Sequence, residues 1–166
     1  MNYMKVLGID PGTGRVGWGI VSHENGTDSL IDCGCFETKA NSDLPERLEK
    51  IYSFLKSLIT EHKPDILSVE SLFFATNVKT AFDVGAAKGV ILLSGQEAKM
   101  PIYQYTPLQV KSSLVGYGQA DKHQIQFMVT KILHLKEIPK PDDAADAIAI
   151  ALTHIFHHPH QIKTLR

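Results

Sequence analysis

The sequence predicts an α/β domain built on a five-stranded mixed sheet flanked by helices on both faces. Three observations carry this reading. The chain opens with apolar stretches joined by Asn25-Gly26, a hairpin dipeptide, as in consecutive antiparallel strands. From Leu44 onward, segments with helical spacing alternate with short apolar runs of the kind that form buried parallel strands. The 166 residues show no internal repeat or linker and fit a single domain over 1–166, with 157–166 as a flexible tail.

Val6–Asp10 reads as a buried strand followed by a tight turn at Gly12 and Gly14. Val16–Ser22 and Ser29–Glu37 read as the second and third strands. Leu44–His62 carries a helical stripe at Leu44, Leu48, Ile51, Phe54, Leu55, Leu58 and Ile59. Asp43 caps it, Pro45 and Glu46 suit its first turn, and Pro64 ends it. Ile66–Val69 is a fourth strand that ends at Glu70, and 77–99 is a long helix rich in Gly and Ala. Pro101–Tyr105 is the fifth strand. Thr106-Pro107 opens a short helix to Leu114, Gly116-Tyr117-Gly118 breaks the chain, and helices follow over 121–135 and 142–156.

Hydrophobic residues make up 43% and charged residues 21%, enough for a packed core and against general disorder. The longest apolar stretch, Ala144–Ile150, is interrupted by Asp146 and is far short of the roughly 18 residues of a membrane span. The first residues lead straight into a strand rather than a signal peptide, so a cytoplasmic protein is expected. Cys33 and Cys35, two apart on one strand face, read as buried, reduced thiols. The net charge of −1 gives no electrostatic footprint for nucleic acid. Its distribution is uneven: residues 111–140 hold five basic and two acidic side chains, and residues 1–70 hold seven and eleven. Carboxylates on metal ions beside a phosphate-binding surface would produce such a pattern, as would chance.

The informative acids lie at element ends. Asp10 closes an apolar strand before Pro11-Gly12, where it serves either as a rigidly held functional carboxylate or as a turn initiator. Glu70 closes a second strand, and Glu is a poor buried-strand residue unless paired or used. Asp143 and Asp146 are three apart at the start of the last helix and share a face, and so do Asp142 and Asp146. Asp142 suits an N-cap after Pro141, whereas Asp146 stands in an Ala- and Ile-rich helix where it is hard to explain as decoration. If these acids converge, each like-charge pair costs about 4 kcal/mol at 4 Å and an effective dielectric near 20. The cluster must then take up protons or bind cations, and oxygen donors favour magnesium or manganese. Two such ions about 3.5–4 Å apart serve phosphodiester hydrolysis. Lys111 and Lys122 could hold a phosphate or remain solvated, and Phe73-Phe74 could be core or a wedge that stacks on an unpaired base.

Five segments in order resemble the bacterial RuvC-type Holliday junction resolvases: Gly8–Thr13, Val69–Phe73, Gln109–Lys111, Gly116–Lys122 and Asp143–Ala151. The resemblance implies a ribonuclease-H-like fold and a homodimer, and the small-residue face of the 77–99 helix, which allows close approach, is by its residues the candidate contact surface. It implies endonuclease activity dependent on magnesium, with manganese as substitute and two ions per site, that resolves four-way DNA junctions by paired nicks during recombination and repair. Asp10, Glu70, Asp143 and Asp146 match the metal-binding catalytic carboxylates. Lys111 and Lys122 match basic residues that support cleavage or junction binding. Phe73 matches an aromatic that engages opened bases, and Phe74 is aromatic in only some relatives. The implied partners are junction DNA and the RuvA and RuvB branch-migration proteins, with no membrane. His154, His157, His158 and His160 match no motif and suggest at most adventitious metal binding.

Overall fold

In the computed structural model, which describes residues 2–71, 78–159 and 163–164, the chain begins with three strands: β1 (Asn2–Asp10), β2 (Arg15–Glu24) and β3 (Thr27–Glu37). There follow α1 (Leu44–His62), β4 (Ile66–Glu70), α2 (Val78–Glu97) and β5 (Ile102–Tyr105). Helices α3 (Pro107–Val115), α4 (Lys122–Ile132) and α5 (Asp142–His157) and a short β6 (Lys163–Thr164) complete it. The sheet order is β3-β2-β1-β4-β5. β1, β2 and β3 pair antiparallel, while β4 and β5 join β1 in parallel. This is the five-stranded mixed sheet expected, with helices on both faces. The expectation of a flexible tail over 157–166 differs at two points. His157 is the last residue of α5, and Lys163 and Thr164 pair antiparallel with Tyr3 and Asn2.

Local chemistry accounts for the elements. The Asn25-Gly26 turn places both residues at positive φ, 50° and 84°, the geometry that joins right-twisted strands in two residues. α1 is capped by Asp43, whose side chain accepts from the Glu46 amide, and it closes on Lys63 in the left-handed region before Pro64. α3 and α4 each open with a reciprocal capping box, Thr106 with Gln109 and Asp121 with Gln124. Ile20 pairs with Asp32 and Val21 with Leu30, so Ile31 bulges out of β3 and is half exposed. Cys33 and Cys35 on that strand are free thiols but only partly buried, a correction to the buried state read from the sequence. β3 is an edge strand and lies largely open along its length.

Alternation assigns each strand residue to one of two cores. Leu7, Ile9, Val16, Ile20, Leu67 and Val69 face α1 and α2, packed with Ile51, Leu55 and Ile91. Met4, Val6, Val21 and Ile66 face the other way, toward α3, α4 and α5. Every residue of α5 from Ala144 to Ile155 except Asp146 is buried, the pattern of a helix enclosed on all sides. Such enclosure requires a close approach to the sheet, and Gly8 and Gly19, directly opposed across β1 and β2, allow it. A Cβ on Gly8 would lie 2.1 Å from the Ala147 carbonyl oxygen, and one on Gly19 2.6 Å from the Ile148 side chain. Ser68 Oγ donates to the Ile150 carbonyl at 3.0 Å from β4. At the far end of α5, wholly buried His154 meets the Tyr105 hydroxyl through Nδ1 at 2.9 Å, so the first of the C-terminal histidines belongs to the core.

Candidate active site

The same alternation that buries Gly8 and Ser68 under α5 places Asp10 and Glu70 on that face, one step beyond the paired Ile9 and Val69. The two carboxylates therefore stand side by side at the C-terminal ends of adjacent parallel strands. α5 delivers the remaining acids. Asp10 pairs with Gly17 across β1 and β2, and the Asp143 carbonyl sits where a Gly17 Cβ would be, 2.1 Å away. This contact sets the start of α5 directly over the ends of β1 and β2, and Asp146 follows one turn later.

Asp10, Glu70 and Asp146 line one cleft of about 240 Å³ with Lys111, Lys122, Pro107, Val110, Ile125 and Ala149. A larger cavity, about 500 Å³, opens at the other end of the strands between Tyr3, Ile66 and Met100. It contains a single carboxylate, Asp65, which already accepts from the Lys5 amide at 2.9 Å, whereas three carboxylates gather in the smaller cleft. Lys122 Nζ is 3.3 Å from Asp146 and 3.4 Å from Asp142. Asp143 lies outside the cleft lining, with Arg15 Nη1 3.3 Å from its carboxylate. Asp142 is the first residue of α5 and not its cap: the N-cap is Pro141, with no side-chain cap bond. Its carboxylate instead accepts from Gln126 Nε2 at 3.1 Å and pairs with Lys122. Phe73 and Phe74 lie outside the described residues.

The electrostatics of the cleft are those of crowded, partly buried carboxyls. Burial, then Glu70, Asp146 and Asp143 in that order, push the Asp10 carboxyl up to about 7, against a smaller pull from Lys122. Glu70 is raised by burial and by Asp146, with Lys88 on α2 and Lys111 opposing. Asp146 is raised by burial despite Lys122. Burial alone would lower the Lys122 ammonium, but Asp146 and Asp142 hold it above its ordinary value. Partly buried oxygen donors that repel one another suit a hard divalent cation, so the residues fit such an ion chemically. Among the described residues no three His, Cys, Asp or Glu side chains already close around one point, and the acids line the cleft without forming a cage.

A stability slope follows from the raised Asp10. Between about pH 4 and 7 the metal-free folded protein retains a proton that the unfolded chain has released. Its stability is therefore greatest below the unfolded value and falls as pH rises through 7, by an amount on the order of a few kcal/mol. Thermal melts in chelator from pH 5 to 8 should show this fall, and Asp10→Asn should make it clearly shallower. An equal slope in both proteins would refute the Asp10 assignment.

Sequence reading missed two cations. Arg15 opens β2 behind a glycine turn, and nothing in its sequence context points at an acid 128 residues away. Lys88 lies on α2 among small residues, and its approach to Glu70 depends on how α2 crosses the sheet.

Comparison with known proteins places these features. The family described as "RuvC: Crossover junction endodeoxyribonuclease RuvC" matches residues 6–154. The protein of that name from Roseiflexus sp. is 48% identical over 159 residues, covering 96% of this chain and 95% of its own. The one from Chloroflexus aurantiacus is 51% identical over 156 residues, covering 94% and 95%. The solved structure described as "T. thermophilus RuvC in complex with Holliday junction substrate" superposes with a TM-score of 0.89 at 37% identity, covering 98% of this chain and 99% of that one.

Proposed function

The chain belongs to the RuvC family of crossover junction endodeoxyribonucleases, and from that premise we propose that it resolves four-way DNA junctions by paired nicks in strands of like polarity. The fold is ribonuclease-H-like, the enzyme is a nuclease of recombination, and divalent metal use comes with the family. The observation that carries the site assignment is the convergence of Asp10, Glu70 and Asp146, from two strand ends and one helix, in a cleft with Lys111 and Lys122.

In this reading Asp10, Glu70, Asp143 and Asp146 would hold magnesium, two ions per site, with manganese able to substitute. When bound, the ions supply Lewis-acid stabilisation of charge at the scissile phosphate. The protein contributes position. β1 and β4 hold Asp10 and Glu70 on rigid backbone, and α5 fixes Asp146 at a distance set by backbone contact. Lys111 and Lys122 supply positive charge for phosphate oxygens, and apolar Val110, Ile125 and Ala149 limit water on the cleft wall. Phe73, with Phe74 beside it, would engage bases opened at the crossover.

The substrate is nearly two-fold symmetric, which a two-fold homodimer matches. The small-residue face of α2 expected to make the contact is divided, with Ala87 wholly buried in the core and Gly89 open, so the surface proposed is the outer face around Gly89, where Phe82 is 76% and Leu93 53% exposed. RuvA and RuvB are the proposed partners, and a cytoplasmic location follows from that role; no helix among the described residues is long and apolar enough to cross a membrane.

A labelled synthetic four-way junction, incubated with and without magnesium beside a linear duplex, tests the proposal. Symmetric nicks on the junction that require magnesium are expected, and equal cutting of the duplex would refute junction selectivity. Lys122→Ala should slow cleavage about ten-fold or more, since it removes a cation that faces both Asp146 and the phosphate path. Rates equal to wild type across a salt series would count against that role.

A further inference from the structure

The four acids of the site do not share one environment. Asp10, Glu70 and Asp146 face the cleft, and Lys122 pairs with Asp146 there. Asp143 instead meets a cation that comes from the sheet. Arg15 directs Nη1 to the Asp143 carboxylate at 3.3 Å and Nε to Glu37 at 3.2 Å, so one guanidinium bridges two acids. Glu37 lies directly across the β2–β3 ladder from Arg15 and is built to hold it. Cys35, opposite Gly17 on the same ladder, brings Sγ to 3.9 Å from the same Asp143 oxygen. The Arg15 and Glu37 side chains are 50% and 64% exposed, and the Asp143 side chain is 26% exposed. The bridge thus has one solvent-facing end beside the cleft.

Resting on the assignment of Asp143 to the metal-binding set, we propose that Arg15 is an exchangeable counter-ion: it neutralises Asp143 while the cation site is empty, and takes a DNA phosphate once Asp143 turns to the cation. Three physical points support it. The guanidinium holds one oxygen of Asp143, Oδ2, and offsets its charge, so it weakens what that carboxylate offers a divalent ion. The planar fork of arginine matches a phosphate as well as it matches a carboxylate, so the released group has an equivalent partner on the backbone of the substrate. Glu37 keeps the guanidinium anchored at Nε during the exchange, which confines it to the rim of the cleft. Arg15 acts on the ion through Asp143 and is a positioning residue in that respect.

The two halves of the exchange give opposite signs, which a structural role would not. Without DNA, Arg15 competes with the ion. Arg15→Gln should therefore tighten manganese binding, followed by electron paramagnetic resonance, about five-fold, the size expected for one unit charge in a half-exposed position. With DNA, Arg15→Gln should weaken junction binding several-fold in calcium while leaving it unchanged in chelator. Arg15→Lys, which keeps the charge without the fork, should restore part of the junction affinity. Unchanged or weaker manganese binding in Arg15→Gln would overturn the proposal, as would an equal loss of junction affinity with and without ions. Asp146→Asn, measured alongside, separates the two levels. If it too leaves manganese binding unchanged, the assignment of the acids fails and this inference with it. If it abolishes manganese binding while Arg15→Gln has no effect, only the exchange is refuted.

Discussion

Asp146→Asn should abolish junction cleavage while leaving junction binding within a few-fold of wild type. Asp146 is the one residue between Ala144 and Ile155 that is not buried, and it lines the cleft with Asp10 and Glu70. Asparagine has nearly the same shape and can still accept from Lys122, so the helix and its packing should survive. What disappears is an anionic oxygen donor. Loss of groups that merely orient a metal ligand costs about 10–100-fold, and loss of the ligand itself should exceed that. DNA affinity rests on cations, and removal of one negative charge from the cleft does not weaken it. Normal nicking by the variant in magnesium would end the catalytic assignment of this carboxylate.

Gly8→Ala is expected to be strongly destabilising for the addition of one methyl group. The added carbon would lie 2.1 Å from the Ala147 carbonyl oxygen, 2.8 Å from the Ala151 amide nitrogen and 2.9 Å from Ala151 Cβ. Two of these are backbone atoms of a helix, so relief requires α5 to move as a body away from β1. Overpacking of this kind costs about 1–3 kcal/mol where side chains can adjust, and here the helix backbone must. For a domain of this size roughly 3 kcal/mol corresponds to a fall in Tm of about 6–12 °C. Activity should fall further than stability suggests, because displacement of α5 carries Asp143 and Asp146 away from Asp10. Gly14→Ala is the control, as nothing lies within 4 Å of its added Cβ. Equal melting temperatures for the two variants would refute the close-packing argument.

Much of this architecture is legible in the residues. Asn25-Gly26, Asp43 with Pro45, and Thr106 with Gln109 mark element ends through local chemistry that acts over four residues or fewer. Asp10, Glu70 and Asp146 stand out because each interrupts an apolar context that burial would otherwise complete. Long-range features are less visible. The pairing of Arg15 with Asp143 and the approach of Lys88 to Glu70 depend on how a strand and a helix cross the sheet. Asp142 looked like a cap because its type and position suit one, yet Pro141 occupies that place and the carboxylate turns to Gln126 and Lys122. Gly8 reads only as a residue of the first strand, and the distance to Ala147 shows that its missing side chain sets the separation of helix and sheet.

The enclosure of α5 ties durability to chemistry. Between Ala144 and Ile155 every residue but Asp146 is buried under sheet, α3 and α4, so amides in that stretch should meet solvent mainly when the whole domain opens. The acids at its head are therefore tied to that buried stretch, and heating should not loosen the proposed site ahead of the rest. Enzyme and scaffold would melt as one body.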